Sequence, residues 1–134
     1  MINVIAALIF KDNKVLIAKR STGDVNNLGK WEFPGGKAKS DESDEEAIER
    51  EIKEEFELNI KAKKYITNNI YKYPNKVINL KLYECEYISG SFNLHDHSEY
   101  KYVNINELLD YDLSRADINL AKYVEGEYNE KNII

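Results

Sequence analysis

Residues 35–58 read GGKAKSDESDEEAIEREIKEEFEL, and the second half of this stretch has the pattern of an amphipathic helix. Its apolar residues Ile48, Ile52 and Phe56 recur at every fourth position, so a helix places them along one stripe. Such a stripe is buried against a sheet or another helix in a globular protein. The stretch therefore predicts a helix that packs on a core while its other faces stay polar.

A second face of the predicted helix carries three carboxylates. Glu51, Glu54 and Glu55 stand at i, i+3 and i+4, a spacing that brings their side chains together. Like charges at this spacing destabilise a helix by a few tenths of a kcal/mol per pair. The face is therefore either solvated or holds a hard cation, and the small Ala47 one turn earlier would leave room for a ligand. Oxygen ligands alone favour Mg²⁺ or Mn²⁺, which bridge carboxylates to substrate phosphates.

A wider pattern of glycine, arginine and acidic residues surrounds this face. It reads Gly36-x5-Glu42-x7-Arg50-Glu51-Ile52-x-Glu54-Glu55-x-x-Leu58. The pattern resembles the Nudix box, the signature of the Nudix hydrolases. One position departs, because the family usually has glycine where this chain has Glu57. Glycine usually ends the helix in a left-handed turn, which Glu forms at a cost of about 1 kcal/mol, so the departure concerns the end of the helix and not the metal ligands.

The resemblance extends from Ile2 to about Val124 and is strongest to the MutT-like branch, the 8-oxo-dGTP diphosphatases and CTP pyrophosphohydrolases. The stretches that carry it are IAKR, WEFPGGK, YPNKVINL, LHDHSEYKYV and RADINL. It implies the Nudix fold, an α/β/α sandwich around a mixed β-sheet. It also implies the reaction NTP + H₂O → NMP + diphosphate, with Mg²⁺ as cofactor and Mn²⁺ able to substitute.

The resemblance implies a metal site on this helix. Four acidic side chains and one backbone carbonyl would be its ligands, from Glu51, Glu54, Glu55, Asp96 and Gly35. Glu51 would also deprotonate or orient the attacking water, and Glu54 would act with it in catalysis. Glu99 is the alternative to Asp96 as the acid from the loop after the long strands.

Further roles in phosphate binding and support follow from the same resemblance. Arg50 would pair with the box carboxylates and hold them, and Glu42 would support the loop before the helix. Lys37 would contact phosphate. Arg20 is a second phosphate-binding candidate, with a solvated strand end as the alternative.

The resemblance to the MutT-like branch implies that the base would lie between the first strand, the WEF segment and the last helix. The candidates for this end of the substrate are Val4, Ala6, Phe33, Tyr73, Ile78 and Asp117. Phe33 and Tyr73 would stack on a base or belong to the core. Asp117 would bind the base edge or cap the last helix. An ionised Asp accepts hydrogen bonds, which favours a donor edge such as cytosine N4, whereas a protonated one leaves oxidised guanine open.

Apolar runs on both sides of the acidic helix predict strands. In chain order the predicted elements are strands at 4–10 and 15–18, the helix, two long strands joined around residues 74–75, a short strand at 100–103 and a helix at 115–125. Ser43 or Asp44 is the predicted N-cap of the first helix. Asn104 is a candidate cap of a short helix before the last one. The order predicts a mixed sheet between helices in one domain, residues 1–134.

The net charge of −5 argues against a nucleic-acid polymer or an anionic membrane as partner. Cys85 is the one cysteine, so no intramolecular disulfide can form.

The first ten residues are apolar but too short to span a bilayer, which predicts a cytoplasmic protein. His95 and His97 lack a third histidine or cysteine nearby, which disfavours zinc. A monomer is plausible at this length.

Three other functions compete with triphosphate hydrolysis. Another Nudix substrate, such as ADP-ribose or a dinucleoside polyphosphate, is disfavoured by the lack of the N-terminal dimerisation segment that many ADP-ribose enzymes have. A non-catalytic nucleotide sensor of the same family would tend to lack box glutamates, and all three are present. An acidic interaction helix would leave the residues outside the helix unexplained.

Overall fold

Seven strands form one mixed sheet in the computed structural model, which describes the backbone of residues 1–133 and the side chains of residues 1–128. They are β1 (Ile2–Lys11), β2 (Lys14–Arg20), β3 (Trp31–Glu32), β4 (Gly35–Lys37), β5 (Asn59–Tyr73), β6 (Lys76–Ser89) and β7 (His97–Asn104). The order across the sheet is β3-β2-β1-β6-β5, while β4 pairs with β1 and β7 with β2. Strands β1 and β6 are parallel, and the other pairs are antiparallel.

Two helices cover opposite faces of this sheet, α1 (Asp44–Phe56) and α2 (Arg115–Ile133), with a 3₁₀ helix (Ile105–Asp110) beside α2. The alternation of side chains along β1 divides the core between them. Ile5 and Ile9 pack with α1, whereas Ala6 and Leu8 pack with α2. The predicted α/β/α sandwich with a mixed sheet is confirmed. No helix in residues 1–133 has the length and apolar character to cross a membrane.

The predicted stripe of α1 is confirmed, because Ile48, Ile52 and Phe56 are fully buried. Ser43 is the N-cap, and its side chain and that of Glu46 bind each other's backbone N–H groups in a capping box. The role suggested for Ala47 is wrong. Ala47 is fully buried in the core under α1 and leaves no room for a ligand.

The strand predictions hold, and two details of the helices do not. Asp12 and Asn13 have φ values of 52° and 64°, which makes the tight turn between β1 and β2. Asn104 stands at the predicted N-cap position of the 3₁₀ helix, but its side chain donates to Glu107 and makes no cap hydrogen bond. Helix α2 continues to Ile133 rather than ending near residue 125.

Candidate active site

A cavity of about 370 Å³ opens where β1, β3, β4, α1, the β5–β6 hairpin and the start of α2 meet. It brings together most of the predicted site residues, namely Val4, Ala6, Arg20, Phe33, Gly35, Lys37, Glu51, Glu55, Tyr73, Ile78 and Asp117. Arg50, Glu54 and Asp96 are outside this lining. The carboxylates of α1 lie at one end of the cavity, and apolar and aromatic side chains lie at the other, together with Asp117 at the start of α2.

Two glycines shape the carboxylate end. Gly36 lies so close to the carboxylate of Glu51 that a Cβ atom there would collide with it. Gly35 lies equally close to the backbone carbonyl of Ile5 in the neighbouring strand. The backbone of β4 therefore runs in a narrow gap, where an added Cβ would meet the backbone of β1 at Gly35 and the side chain of Glu51 at Gly36.

Arg50 organises the carboxylates of α1. Its guanidinium donates to both oxygens of Glu42, at 2.6 and 3.0 Å, and one of its nitrogens donates to Glu51 at 2.9 Å and to Glu54 at 3.1 Å. It also donates to the backbone carbonyl of Lys37 at 3.2 Å. The hydrogen bonds from Arg50 lower the pKa of Glu42 to about 2. Arg50 thus joins α1 to the segment that precedes it.

Glu55 differs from Glu51 and Glu54 because its Oε2 atom is buried without a hydrogen-bond partner, and its side chain is 13 % exposed. Burial raises the pKa of Glu55 to about 8, although Arg20, 3.9 Å away, opposes this effect, and the charges of Glu51 and Asp96 add to it. A buried carboxylate among other acids is poorly compensated by the protein alone. Glu54, in contrast, is 58 % exposed.

The two candidates for the further acid occupy different surroundings. Asp96 precedes β7, and its Oδ1 accepts a hydrogen bond from Thr22 at 3.1 Å. Its charge acts on both Glu55 and Arg20. Glu99 lies opposite Lys19 in the β2–β7 pair and is exposed. The structure therefore favours Asp96 over Glu99 as the acid next to Glu55.

Sequence reasoning missed Glu32, which is buried and lines the cavity. Arg20 donates two hydrogen bonds to its Oε2 atom, at 2.8 and 3.1 Å, and the Nε2 atom of His97 lies 3.0 Å from the same oxygen. The side chain of His97 is fully buried and stacks on Phe56. Arg20 is thus held by a carboxylate and is not a solvated strand end. The available signal was a charged residue between the two aromatic residues Trp31 and Phe33.

Asp117 and Tyr73 lie at the other end of the cavity. The Oδ2 atom of Asp117 accepts a hydrogen bond from the backbone N–H of Phe33 at 2.9 Å, so this carboxyl does not cap α2. Burial, and then the charge of Glu32, raises the pKa of Asp117 well above its usual value.

The Tyr73 hydroxyl accepts from the N–H of Ala116 and donates to Asn27, both at 3.2 Å. Phe33 and Tyr73 belong to the core and also line the cavity. The lining also includes polar side chains that were not predicted, those of Asp24, Asn27 and Lys76.

The NUDIX domain family matches residues 1–124 of this chain. The chain belongs to the Nudix family. It is 33 % identical over 122 residues to the CTP pyrophosphohydrolase of Escherichia coli K12, covering 91 % of this chain and 90 % of that protein. It is 32 % identical over 107 residues to the 8-oxo-dGTP diphosphatase of Buchnera aphidicola from Schizaphis graminum, covering 79 % of each. The crystal structure of the MutT protein from Methanosarcina mazei Go1 has a TM-score of 0.83 at 25 % identity, covering 98 % of this chain and 94 % of that one.

This Nudix protein is therefore a MutT-like hydrolase that acts on phosphoric anhydride bonds. Nudix hydrolases generally use a divalent metal ion, usually Mg²⁺. The donor set fits such an ion, because carboxylates of Glu51 and Glu55 and the backbone of Gly35 border one cavity, and Glu55 has an oxygen without a partner. Among the described side chains, no three acidic, histidine or cysteine groups are arranged so that they could hold a metal ion together. Arg50 instead occupies oxygens of Glu51 and Glu54.

Proposed function

We propose that this Nudix hydrolase is a Mg²⁺-dependent nucleoside triphosphate pyrophosphohydrolase that converts NTP and water to NMP and diphosphate. The supporting observation is that one cavity joins two chemically different ends. Acidic Glu51 and Glu55 offer ligands for cations that would carry a triphosphate, and Phe33, Tyr73 and Asp117 offer a surface and a hydrogen-bonding group for a base. The names of both curated relatives support this substrate class.

The preferred bases in this proposal are 8-oxoguanine or guanine, and cytosine or modified cytosine, in ribo- or deoxynucleotides. Burial raises the pKa of Asp117 well above its usual value, which favours the protonated form of its carboxyl. A protonated carboxyl both donates and accepts, so it complements the edge of either base. Removal of damaged triphosphates from the nucleotide pool would be the cellular role, carried out in the cytoplasm by a monomer.

The residues of the chain would divide the work between binding, orientation and proton transfer. Lys37 would contact the phosphates, and Arg20, held by Glu32, would add positive charge at the same end of the cavity. Glu51 would orient the attacking water or accept its proton, while Arg50 and Glu42 would keep Glu51 and Glu54 in place. When bound, Mg²⁺ supplies the charge that neutralises the triphosphate and makes water more acidic.

A turnover panel with Mg²⁺ tests this function. It compares 8-oxo-dGTP, dGTP, CTP, dCTP, 5-methyl-dCTP, ADP-ribose and diadenosine tetraphosphate, with diphosphate measured separately from orthophosphate. We expect one triphosphate to be preferred and diphosphate to be released. A preference for ADP-ribose or the dinucleoside would overturn the triphosphate assignment. Nucleotide binding without turnover of any compound would indicate a sensor.

Replacement of Asp117 by Ala should change the ranking of bases more than the Mg²⁺ requirement. Its carboxyl lies at the end of the cavity with Phe33 and Tyr73, and loss of one hydrogen-bonding group in a base site changes discrimination by about 1–3 kcal/mol. The measurement is kcat/KM for each triphosphate of the panel together with the Mg²⁺ concentration for half-maximal rate. Asp112→Ala is the control, since Asp112 pairs with Lys30 on the exposed surface. An unchanged ranking would remove Asp117 from the base site.

A further inference from the structure

Glu57 follows α1 directly and has a φ of 58°, in the left-handed region that favours glycine. It is the position at which the chain departs from the Nudix box. The backbone N–H of Glu57 donates to the carbonyl of Lys53 at 3.0 Å, which closes the last turn of the helix. A glycine could close this turn with less strain. The side chain at this position therefore has to be explained by what it contacts.

The Glu57 carboxylate holds the segment between β6 and β7. Its Oε2 atom accepts a hydrogen bond from the Nδ2 group of Asn93 at 2.7 Å, and the Nε2 atom of His95 lies 2.8 Å from the same oxygen. The backbone N–H of Asn93 also donates to the carbonyl of Phe56 at 3.1 Å. Gly90 packs so closely on Glu57 that a Cβ there would lie 2.7 Å from its carbonyl oxygen. The end of α1 and residues 90–95 are thus joined by side chain and backbone.

This segment ends at Asp96, which the site needs near Glu55. On its other side Asp96 is held by the loop after β2, because its backbone carbonyl accepts from the N–H of Ser21 at 2.9 Å and its side chain accepts from Thr22. Asp96 is close enough to Glu55 for its charge to act on that carboxyl. The position of Asp96 relative to α1 is therefore set from two sides, one of which is Glu57.

We propose that Glu57 is a positioning residue, whose carboxylate holds residues 90–96 so that Asp96 stays close to the carboxylate of Glu55. This inference rests on the proposed Mg²⁺-dependent function. It assigns to Glu57 a role in metal binding through Asn93 and His95, although Glu57 lies outside the lining of the cavity. The strain of a left-handed glutamate is then offset by the order it gives to the acid-bearing segment.

The decisive variant is Glu57→Gly, because it should weaken metal binding without lowering stability. Glycine relieves the left-handed strain, so Tm should stay the same or rise. Loss of the carboxylate should weaken Mg²⁺ binding about tenfold, the scale found for residues that orient metal ligands. Calorimetric titration with Mg²⁺ alone measures the affinity, and amide hydrogen exchange of residues 91–96 should become faster. The KM for nucleotide at saturating Mg²⁺ should stay close to that of the parent.

Three further variants separate the explanations. Glu57→Gln retains an oxygen that can accept both hydrogen bonds and should restore most of the affinity. Asn93→Ala/His95→Ala leaves the cap residue intact and should reproduce the effects of Glu57→Gly on exchange and Mg²⁺ affinity. Asn13→Gly replaces another left-handed residue, in the β1–β2 turn, and should leave both unchanged.

Unchanged exchange and Mg²⁺ affinity in Glu57→Gly would overturn the positioning role. The proposed function fails in a different way, namely when the parent protein hydrolyses none of the triphosphates in the panel. The exchange experiment does not need turnover, so it tests the anchoring of residues 91–96 in either case.

Discussion

Glu54→Gln should lower kcat for the preferred triphosphate about a thousandfold, the scale expected when a preorganised electrostatic contact is lost. The carboxylate of Glu54 is a proposed Mg²⁺ ligand, and an amide provides neither its charge nor its second acceptor oxygen. The amide oxygen can still accept the hydrogen bond that Arg50 donates at 3.1 Å, so the fold should be retained. Because the side chain of Glu54 is exposed, its replacement should change the free energy of unfolding little. A loss of turnover would then reflect the site and not the fold. Turnover at saturating Mg²⁺ and Tm are the two measurements.

The matched control is Glu45→Gln, which removes one carboxylate from the exposed first turn of the same helix. This variant should keep kcat within about twofold of the parent, since surface substitutions away from a site are usually small in effect. Near-normal turnover in Glu54→Gln would contradict the assignment of Glu54 as a metal ligand. Glu51 and Glu55, which line the cavity, would then have to provide the carboxylate ligands without it.

Local patterns were the part of the fold that the sequence predicted well. The stripe of Ile48, Ile52 and Phe56, the cap at Ser43 and the β1–β2 hairpin depend on neighbours within a few positions of the chain. The role given to Ala47 was wrong because the buried stripe of α1 is wider than a line of every fourth residue. The predicted end of α2 was wrong because Gly126 is accommodated within the helix.

The interior of the site could be predicted only in part, because its contacts join distant segments. Helical spacing places three carboxylates near each other, but successive residues differ by about 100° around the axis. Glu54 and Glu55 therefore diverge, and one is exposed while the other is buried against Arg20. The contacts of Glu32 with Arg20 and His97 link three strands, and no local pattern encodes them.

Gly35→Ala should destabilise the protein by about 3 kcal/mol, the upper end of the usual cost of overpacking. Gly35 pairs with Ala6 across β1 and β4, and an added Cβ would collide with the backbone carbonyl of Ile5 and lie 2.8 Å from the Cα of Ala6. Both obstacles are backbone atoms of a central, buried strand, so neither can move without disturbing the sheet. Urea unfolding followed by circular dichroism measures the change in the free energy of unfolding.

Gly36→Ala is the matched variant, because the same methyl group would there meet the end of a flexible side chain. The carboxylate of Glu51 can rotate away at little cost in stability, so unfolding should change by about 1 kcal/mol or less. Turnover should nevertheless fall, since Glu51 would leave the position next to Gly36 in which it borders the cavity. If Gly35→Ala were as stable as the parent, the close approach of β4 to the backbone of β1 would not restrict the residue at position 35. Unchanged turnover in Gly36→Ala would show that the position of Glu51 does not limit catalysis, because the collision displaces that carboxylate before any other group.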